Sequence, residues 1–269
     1  MMARRVFRAV LLTAFVTMVA ADGGAQQKPF EPSVGQAGKD VVWVPTPEEL
    51  VEKMLDMAKV TAADYVMDLG SGDGRNIIAA AKRGATAVGV EYNPDMVELS
   101  RKNAREAGVA EKAQFIQGDM YEADISKASV MALFLLPQNL EKLHDKFMAL
   151  KPGTRIVLNT FAIPGWEPDE TERIGGTCSS WCTSMLNIVP APVAGAWKVT
   201  GGELTVAQDH QKLSGTMTTG GNTVPIEGRV RGEELTFKAG DTQYTGRVAG
   251  NRIEGVAMGV SAQNWSATR

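Results

Sequence analysis

The sequence predicts an α/β fold, a doubly wound parallel sheet, followed by a small antiparallel all-β domain. Three observations predict it. From Tyr65 to Asn159 short apolar runs alternate with segments of helical period. Those runs are continuous in apolar character, as strands covered on both faces are. Beyond Pro190-Ala191-Pro192 the helical period disappears, and short alternating segments recur between glycine turns.

The chain of 269 residues begins with Arg4, Arg5 and Arg8 ahead of an apolar run from Ala9 to Ala21, with Gly23 and Ala25 before Gln26. This is the charged, apolar and small-residue order of an export leader. The run is about 13 residues, short for a bilayer span. Residues 1–25 are therefore expected to be a signal peptide, with an exported, periplasmic protein and no stable transmembrane span after cleavage. A retained membrane anchor or a mitochondrial presequence are the alternatives. Cleavage after Ala25 removes three arginines and Asp22 and takes the formal charge from −3 to −5. Residues 26–41 lack periodicity and read as a linker.

In Pro45-Thr46-Pro47-Glu48-Glu49, Thr46 is placed to cap a helix opened by Pro47, and Leu50, Val51, Met54, Leu55 and Ala58 give it one apolar face. Strands follow at Tyr65–Asp68, Ala87–Glu91, Ala113–Gln117, Val130–Leu135 and Arg155–Asn159. The wholly apolar fourth is expected at the centre. Between them lie helices at 76–82, at 94–107 with Asn93 as cap, and at 137–150. Residues 42–192 form the first domain and 193–269 the second, a β-meander closing into a barrel or a sandwich. An internal echo, Ile226-Glu-Gly-Arg-Val-Arg-Gly against Tyr244-Thr-Gly-Arg-Val-Ala-Gly, fits repeated hairpins. Trp197 and Trp265 are expected in its core, or on a ligand or partner surface. Cys178 and Cys182 are set for a local disulfide in an oxidising compartment and for free thiols otherwise. Two cysteines distant from His144 and His210 do not make a metal site.

The chemistry follows the first strand, in Asp68-Leu69-Gly70-Ser71-Gly72-Asp73-Gly74. Glycine at 70 and 72 lets the backbone turn tightly and approach a ligand. The next helix opens with free N–H groups, in the crevice at the carboxyl ends of the strands. A dinucleotide loop needs its third glycine where Arg75 stands. An acid at Asp68, before the glycines, disfavours a pyrophosphate and suits a cofactor bearing an ammonium. S-adenosyl-L-methionine (AdoMet) has that ammonium and no phosphates. Glu91 ends the second strand, placed to accept hydrogen bonds from the ribose hydroxyls, with Tyr92 placed to cover the adenine. Asp119, with Met120, ends the third, placed to accept from the adenine amino group. The expected cofactor site is Asp68, Gly70, Ser71, Gly72, Gly74, Glu91, Tyr92, Asp119 and Met120.

On these residues the segment from about Val42 to Pro190 resembles the class I AdoMet-dependent methyltransferases, which implies a Rossmann-like methyltransferase sheet. Val44-Pro-Thr-Pro47, the loop from Asp68 to Arg75 and Leu135-Leu-Pro137 together are similar to small bacterial and mitochondrial methyltransferases that modify lysines of membrane proteins. The resemblance implies methyl transfer to an amine or protein side chain, lysine among them, with a protein as the possible partner. Leu135-Leu136-Pro137-Gln138-Asn139 lacks the Asn-Pro-Pro-Tyr type motif that holds planar amides or exocyclic amines. Thr46, Leu136 and Pro137 are expected to border the acceptor pocket. No catalytic residue is singled out, since an unprotonated amine does not require a strong base. A net charge of −3 offers no basic surplus for nucleic acid. The alternative is a non-catalytic module of the same fold whose β domain engages a partner, since an exported protein has no evident AdoMet supply.

Overall fold

The computed structural model describes residues 30–176 and 178–269. The expected leader, 1–25, and the start of the linker lie outside the described residues. The chain divides into two compact units, 1–31 and 32–269. All named elements belong to the second.

The first part of that unit contains α1 (Glu48–Met57), β1 (Tyr65–Leu69), α2 (Arg75–Lys82), β2 (Thr86–Glu91), α3 (Pro94–Glu106), β3 (Ala113–Gln117), β4 (Val130–Leu133), α4 (Pro137–Met148), β5 (Arg155–Asn159), β6 (Glu170–Arg173) and β7 (Thr183–Ile188). The strands form one sheet in the order β3-β2-β1-β4-β5-β7-β6. β1 to β5 are parallel, and the fully buried β4 is the middle strand of the seven. β7 runs antiparallel to β5, and β6 to β7. This antiparallel edge is absent from the sequence-based expectation for a physical reason. β6 is Glu-Thr-Glu-Arg and exposed throughout, while β7 buries Ser184 and Asn187 among its apolar residues. Neither has a clear apolar period.

Successive strand side chains enter opposite cores, as the pleat requires. Val66, Ala87, Val130 and Val157 join the core under α1, α2 and α3. Met67, Val88, Met131 and Ile156 join Leu140, Leu143 and Phe147 of α4 on the other face. This is the expected doubly wound arrangement.

Two helix starts separate expectation from structure. Asn93 caps α3 as expected, its side chain accepting from Asp95 N–H at 2.9 Å. At α1 the cap is Pro47, and no side chain caps the helix. Thr46 is buried instead, and its Oγ1 accepts from Asn159 Nδ2 at 3.2 Å. The hydroxyl has exchanged a helix end for a buried partner on β5.

The second part is a closed barrel of eight antiparallel strands, β8 (Gly195–Val199), β9 (Gly202–Asp209), β10 (Lys212–Thr219), β11 (Asn222–Arg231), β12 (Glu234–Ala239), β13 (Thr242–Ala249), β14 (Arg252–Met258) and β15 (Ala262–Thr268). β15 pairs with β8 and closes it, so of the two forms left open by the sequence the barrel is the one found. The echoed segments fall on β11 and β13, the two neighbours of β12. Trp197, Leu204, Ile226, Leu235, Phe237 and Ile253 fill the interior, as side chains do in barrels of this size. Trp265 packs edge-on to Phe237 and Tyr244 and donates from Nε1 to Thr245 O at 2.9 Å. Trp197 is thus a fully buried core residue, and Trp265 is half-buried and packs against that core.

The barrel is tied to the loop before β6. Asp169 accepts from Ile188 N–H and from Arg229, each at 2.8 Å. Gln211 Nε2 donates to Glu167 O at 2.7 Å. His210 stacks on the buried Trp166, and its Nε2 lies 2.8 Å from that of His144 on α4.

Candidate functional site

The site is a crevice at the carboxyl ends of β1, β2, β3 and β4. Every strand of a parallel sheet delivers its following loop to this edge, so chemistry collects there. The loop after β1 is held from two sides. Gly70 N–H and Ser71 N–H donate to Val90 O of β2, at 2.8 and 3.1 Å. From α3, Ser100 Oγ donates to Gly72 O at 2.7 Å and Asn103 Nδ2 to Asp73 O at 3.0 Å.

Gly72 and Gly74 both need the left-handed backbone, with φ of +55° and +84°. They also lack room for a side chain. A Cβ on Gly72 would lie 2.8 Å from Trp43 Nε1, and one on Gly74 would lie 2.6 Å from Phe115 of β3. The third glycine therefore serves the packing of α2 against the sheet, one residue earlier than in a dinucleotide loop.

Asp68, one residue before the end of β1, lines the crevice and is almost fully buried. Its Oδ2 accepts from Asn76 Nδ2 at 3.0 Å, and the same amide donates to Ala132 O at 3.2 Å. Burial pushes the Asp68 carboxyl well above the ordinary carboxylate range. The Asn76 N–H opposes that, and the nearby Glu91 and Asp73 carboxylates add to it. A buried acid destabilised as an anion is poised for an arriving cation. The ammonium of AdoMet is such a cation, so the site's chemistry fits that cofactor.

Glu91 bridges two loops. Its Oε2 accepts from Gly72 N–H at 3.0 Å and its Oε1 from Asn93 N–H at 2.9 Å. Asp119 accepts from Tyr121 N–H at 2.9 Å and pairs with Lys39. The Lys39 ammonium and the Tyr121 N–H hold its carboxyl below the usual range. Asp119 and Met120 border a hollow with Glu91, Tyr92, Lys39 and Val41, which adjoins the larger cavity over Asp68 through Gly70, Glu91 and Val41. Tyr92 is about half exposed, its ring 5.1 Å below Lys39 Nζ. Ser71 reaches the cavity, but its buried Oγ has no partner, and a Cβ on Gly89 would lie 2.5 Å from it. Its hydroxyl is packed toward the sheet.

Residues the sequence reading passed over complete the site. The segment read as linker folds across the crevice from Gln36. Trp43 N–H donates to Gln36 O and Gly38 N–H to Val41 O, making a short strap bridged at Ala37 and Val42. Gln36, Gly38, Val41 and Trp43 line the cavity. Arg75 pairs with Asp73 and donates to Thr46 O at 2.7 Å, closing the far side. Thr46 lines the cavity, whereas Leu136 and Pro137, expected beside it, are not among its lining residues. They begin α4, with Leu136 O accepting from Asn139 N–H and Leu140 N–H. Phe134 lines the cavity in their place, because β4 ends at Leu133 and not at Leu135.

Cys178 and Cys182 are joined in a disulfide that closes the loop between β6 and β7.

Comparison with known proteins agrees with this geometry. The family model described as the ANTKMT methyltransferase domain matches residues 68–170. A protein-lysine N-methyltransferase of Saccharolobus islandicus is 45% identical over 137 residues, which are 50% of this chain and 85% of that protein. The mouse adenine nucleotide translocase lysine N-methyltransferase is 35% identical over 155 residues, 52% of this chain and 67% of that protein. Further lysine N-methyltransferases of mouse and human are 38% identical over 134 residues, and the chain spans only 54% and 57% of their lengths. Among solved structures, an RNA methyltransferase from Salinibacter ruber in complex with S-adenosyl-L-homocysteine is 45% identical. It superposes with a TM-score of 0.52 over 56% of this chain and 96% of its own. The barrel strands all lie beyond the region matched by the family model. A glycine loop on a doubly wound sheet, a buried acid suited to a cationic cofactor, and close identity over most of a catalytic relative lead to one conclusion: the chain belongs to the AdoMet-dependent methyltransferases of the ANTKMT-domain family.

Proposed function

We propose that this methyltransferase modifies the ε-amino group of a lysine on a protein. The observation that carries the reading is the lining of the cavity beside Asp68. Beyond the buried Asp68–Asn76 pair it is walled by Thr46 and Phe134, which present no clamp for a planar amide. The relatives that are lysine methyltransferases support the same acceptor.

AdoMet, when bound, supplies a methyl group on a sulfonium sulfur and leaves as a neutral thioether. The residues of this chain bind and orient. Asp68 is the counter-ion for the cofactor's ammonium, with Asn76 fixing the carboxyl's orientation. Gly70, Ser71, Gly72 and Gly74 form the loop that lets the backbone approach. Glu91 would accept from the ribose hydroxyls, Tyr92 and Met120 would hold the adenine, and Asp119, whose carboxyl is shared with Lys39, would accept from the adenine amino group. Thr46 and Phe134 exclude water around the acceptor, whose lone pair must align with the methyl carbon. A lysine amine entering this partly apolar passage is driven toward its neutral form by loss of hydration, and its proton leaves to solvent.

The decisive experiment incubates the purified chain with methyl-labelled AdoMet, RNA and a panel of lysine-containing proteins and peptides, then identifies the modified group by mass spectrometry. Label on Nε of lysine is expected. Label confined to RNA, or to carboxyl or guanidino groups, would overturn the lysine reading.

We further propose that residues 1–25 are an export leader, that 42–192 with its strap is the catalytic domain, and that 193–269 is a barrel domain added to it. The bridged Cys178–Cys182 pair supports an oxidising compartment. A native N-terminus near Gln26 in a periplasmic fraction is the expected result. An intact Met1 in a membrane fraction would instead make the segment an anchor.

A further inference from the structure

Next to the cavity lies an aromatic group that cofactor binding leaves unused. Phe134 lines the cavity, and its ring centroid is 6.2 Å from Phe161 and 5.5 Å from Trp181. Trp181 is 5.7 Å from Phe161. The phenyl rings are nearly parallel, at 23°, while Trp181 is inclined to them at 57° and 55°. The group therefore turns π faces in more than one direction. It also leads outward, since Phe134 and Phe161 are half-buried and Trp181 is exposed.

The backbone keeps it there. Trp181 has φ of +59°, a conformation that a bulky side chain rarely adopts. It is held between the Cys178–Cys182 bridge and the hydrogen bond from Ile174 N–H to Cys182 O at 2.9 Å. Thr160 N–H, donating to Thr183 O at 2.8 Å, fastens the end of β5 to the start of β7 and so sets Phe161 beside this loop. Among the described residues, protein cations sit over Tyr92, Tyr121 and Trp197, and none sits over this group. Trp181 is exposed beside the two phenyl rings, so a cation from outside can reach its ring. An exposed aromatic face attracts an ammonium through the ring quadrupole, and more strongly as water is excluded.

We propose that Phe134, Phe161 and Trp181 form the mouth subsite for the acceptor's cationic side chain, a lysine ammonium or methylammonium, with the Cys178–Cys182 bridge as its positioning element. The proposal rests on the lysine reading above. The rings hold the aliphatic stem and the cationic head at the mouth, before the amine loses its proton and moves inward past Phe134.

The test uses the full chain, titrated with Nα-acetyl-trimethyllysine methylamide and with its neutral isostere, in which carbon replaces the quaternary nitrogen. Binding is followed by calorimetric titration in every variant, and in the wild-type chain also by the NMR signal of the Trp181 indole. The cation is expected to bind at least about fivefold more tightly than the isostere. That preference disappears in Trp181→Ala, survives in Trp181→Phe, and is reduced in the Cys178→Ser/Cys182→Ser variant. AdoMet affinity is the same in all of them. Equal binding of cation and isostere, or a preference untouched by Trp181→Ala, would overturn the subsite. The lysine reading fails separately: a wild-type chain that prefers the cation yet places no label on lysine sinks that reading and leaves the subsite standing.

Discussion

Asp68 combines two demands that pull against each other. It is buried without a cation, and burial keeps its carboxyl protonated to a higher pH than in the unfolded chain. The folded state then binds more protons, so this residue's contribution to stability falls as pH rises from the ordinary carboxylate range toward the folded value. Asp68→Asn removes the charge without removing the contact to Asn76. It is expected to raise the thermal midpoint of the cofactor-free protein at neutral pH and to flatten that slope. The same change should weaken AdoMet binding at least about tenfold, which is about 1.4 kcal/mol. A variant that is less stable and binds equally well would show that Asp68 is only a structural acid. The acids at three successive strand ends were legible in the sequence, because a strand end before a glycine or a turn is a visible position. Asn76 was not, since an asparagine on an alanine-rich helix carries no sign of the buried carboxyl it faces. Nor was Lys39, which lies in a stretch without period.

The elements were legible where their apolar residues were periodic or continuous, as in α3 and β4. They were hidden where polar residues take structural work, as in the charged β6 and in β7 with its buried Ser184 and Asn187. The strap before α1 belongs to the hidden class. It is held by a few backbone hydrogen bonds, the Lys39–Asp119 pair and the contact of Trp43 with the glycine loop. It borders both hollows that the cofactor would fill. Trp43→Ala removes the largest side chain of that cover and should weaken AdoMet binding by a factor of about ten while changing stability little. Unchanged affinity would mean that the strap lies over the crevice without contributing to it.

At the scale of the molecule, the barrel and the sheet meet through polar groups, some buried and some exposed. The Asp169 side chain is 1% exposed, and it joins β7 to the barrel by accepting from Ile188 N–H and Arg229. Asp169→Ala leaves the Ile188 N–H without its partner, while the half-exposed Arg229 turns to water, and should destabilise the protein by about 1–2 kcal/mol, read as a shift in the denaturant midpoint. A change within about 0.5 kcal/mol would show that the two parts fold independently of this junction. The meander was legible from its glycine spacing, whereas its docking was not, because each contact pairs residues far apart in sequence. The account as a whole stands on the crevice at the ends of β1, β2 and β3, which calorimetric titration of the full chain with AdoMet probes most directly. The prediction is one site per chain, weakened by at least about 1 kcal/mol in Glu91→Ala through lost hydrogen bonds. No binding by the folded chain, or binding indifferent to Glu91, would contradict it.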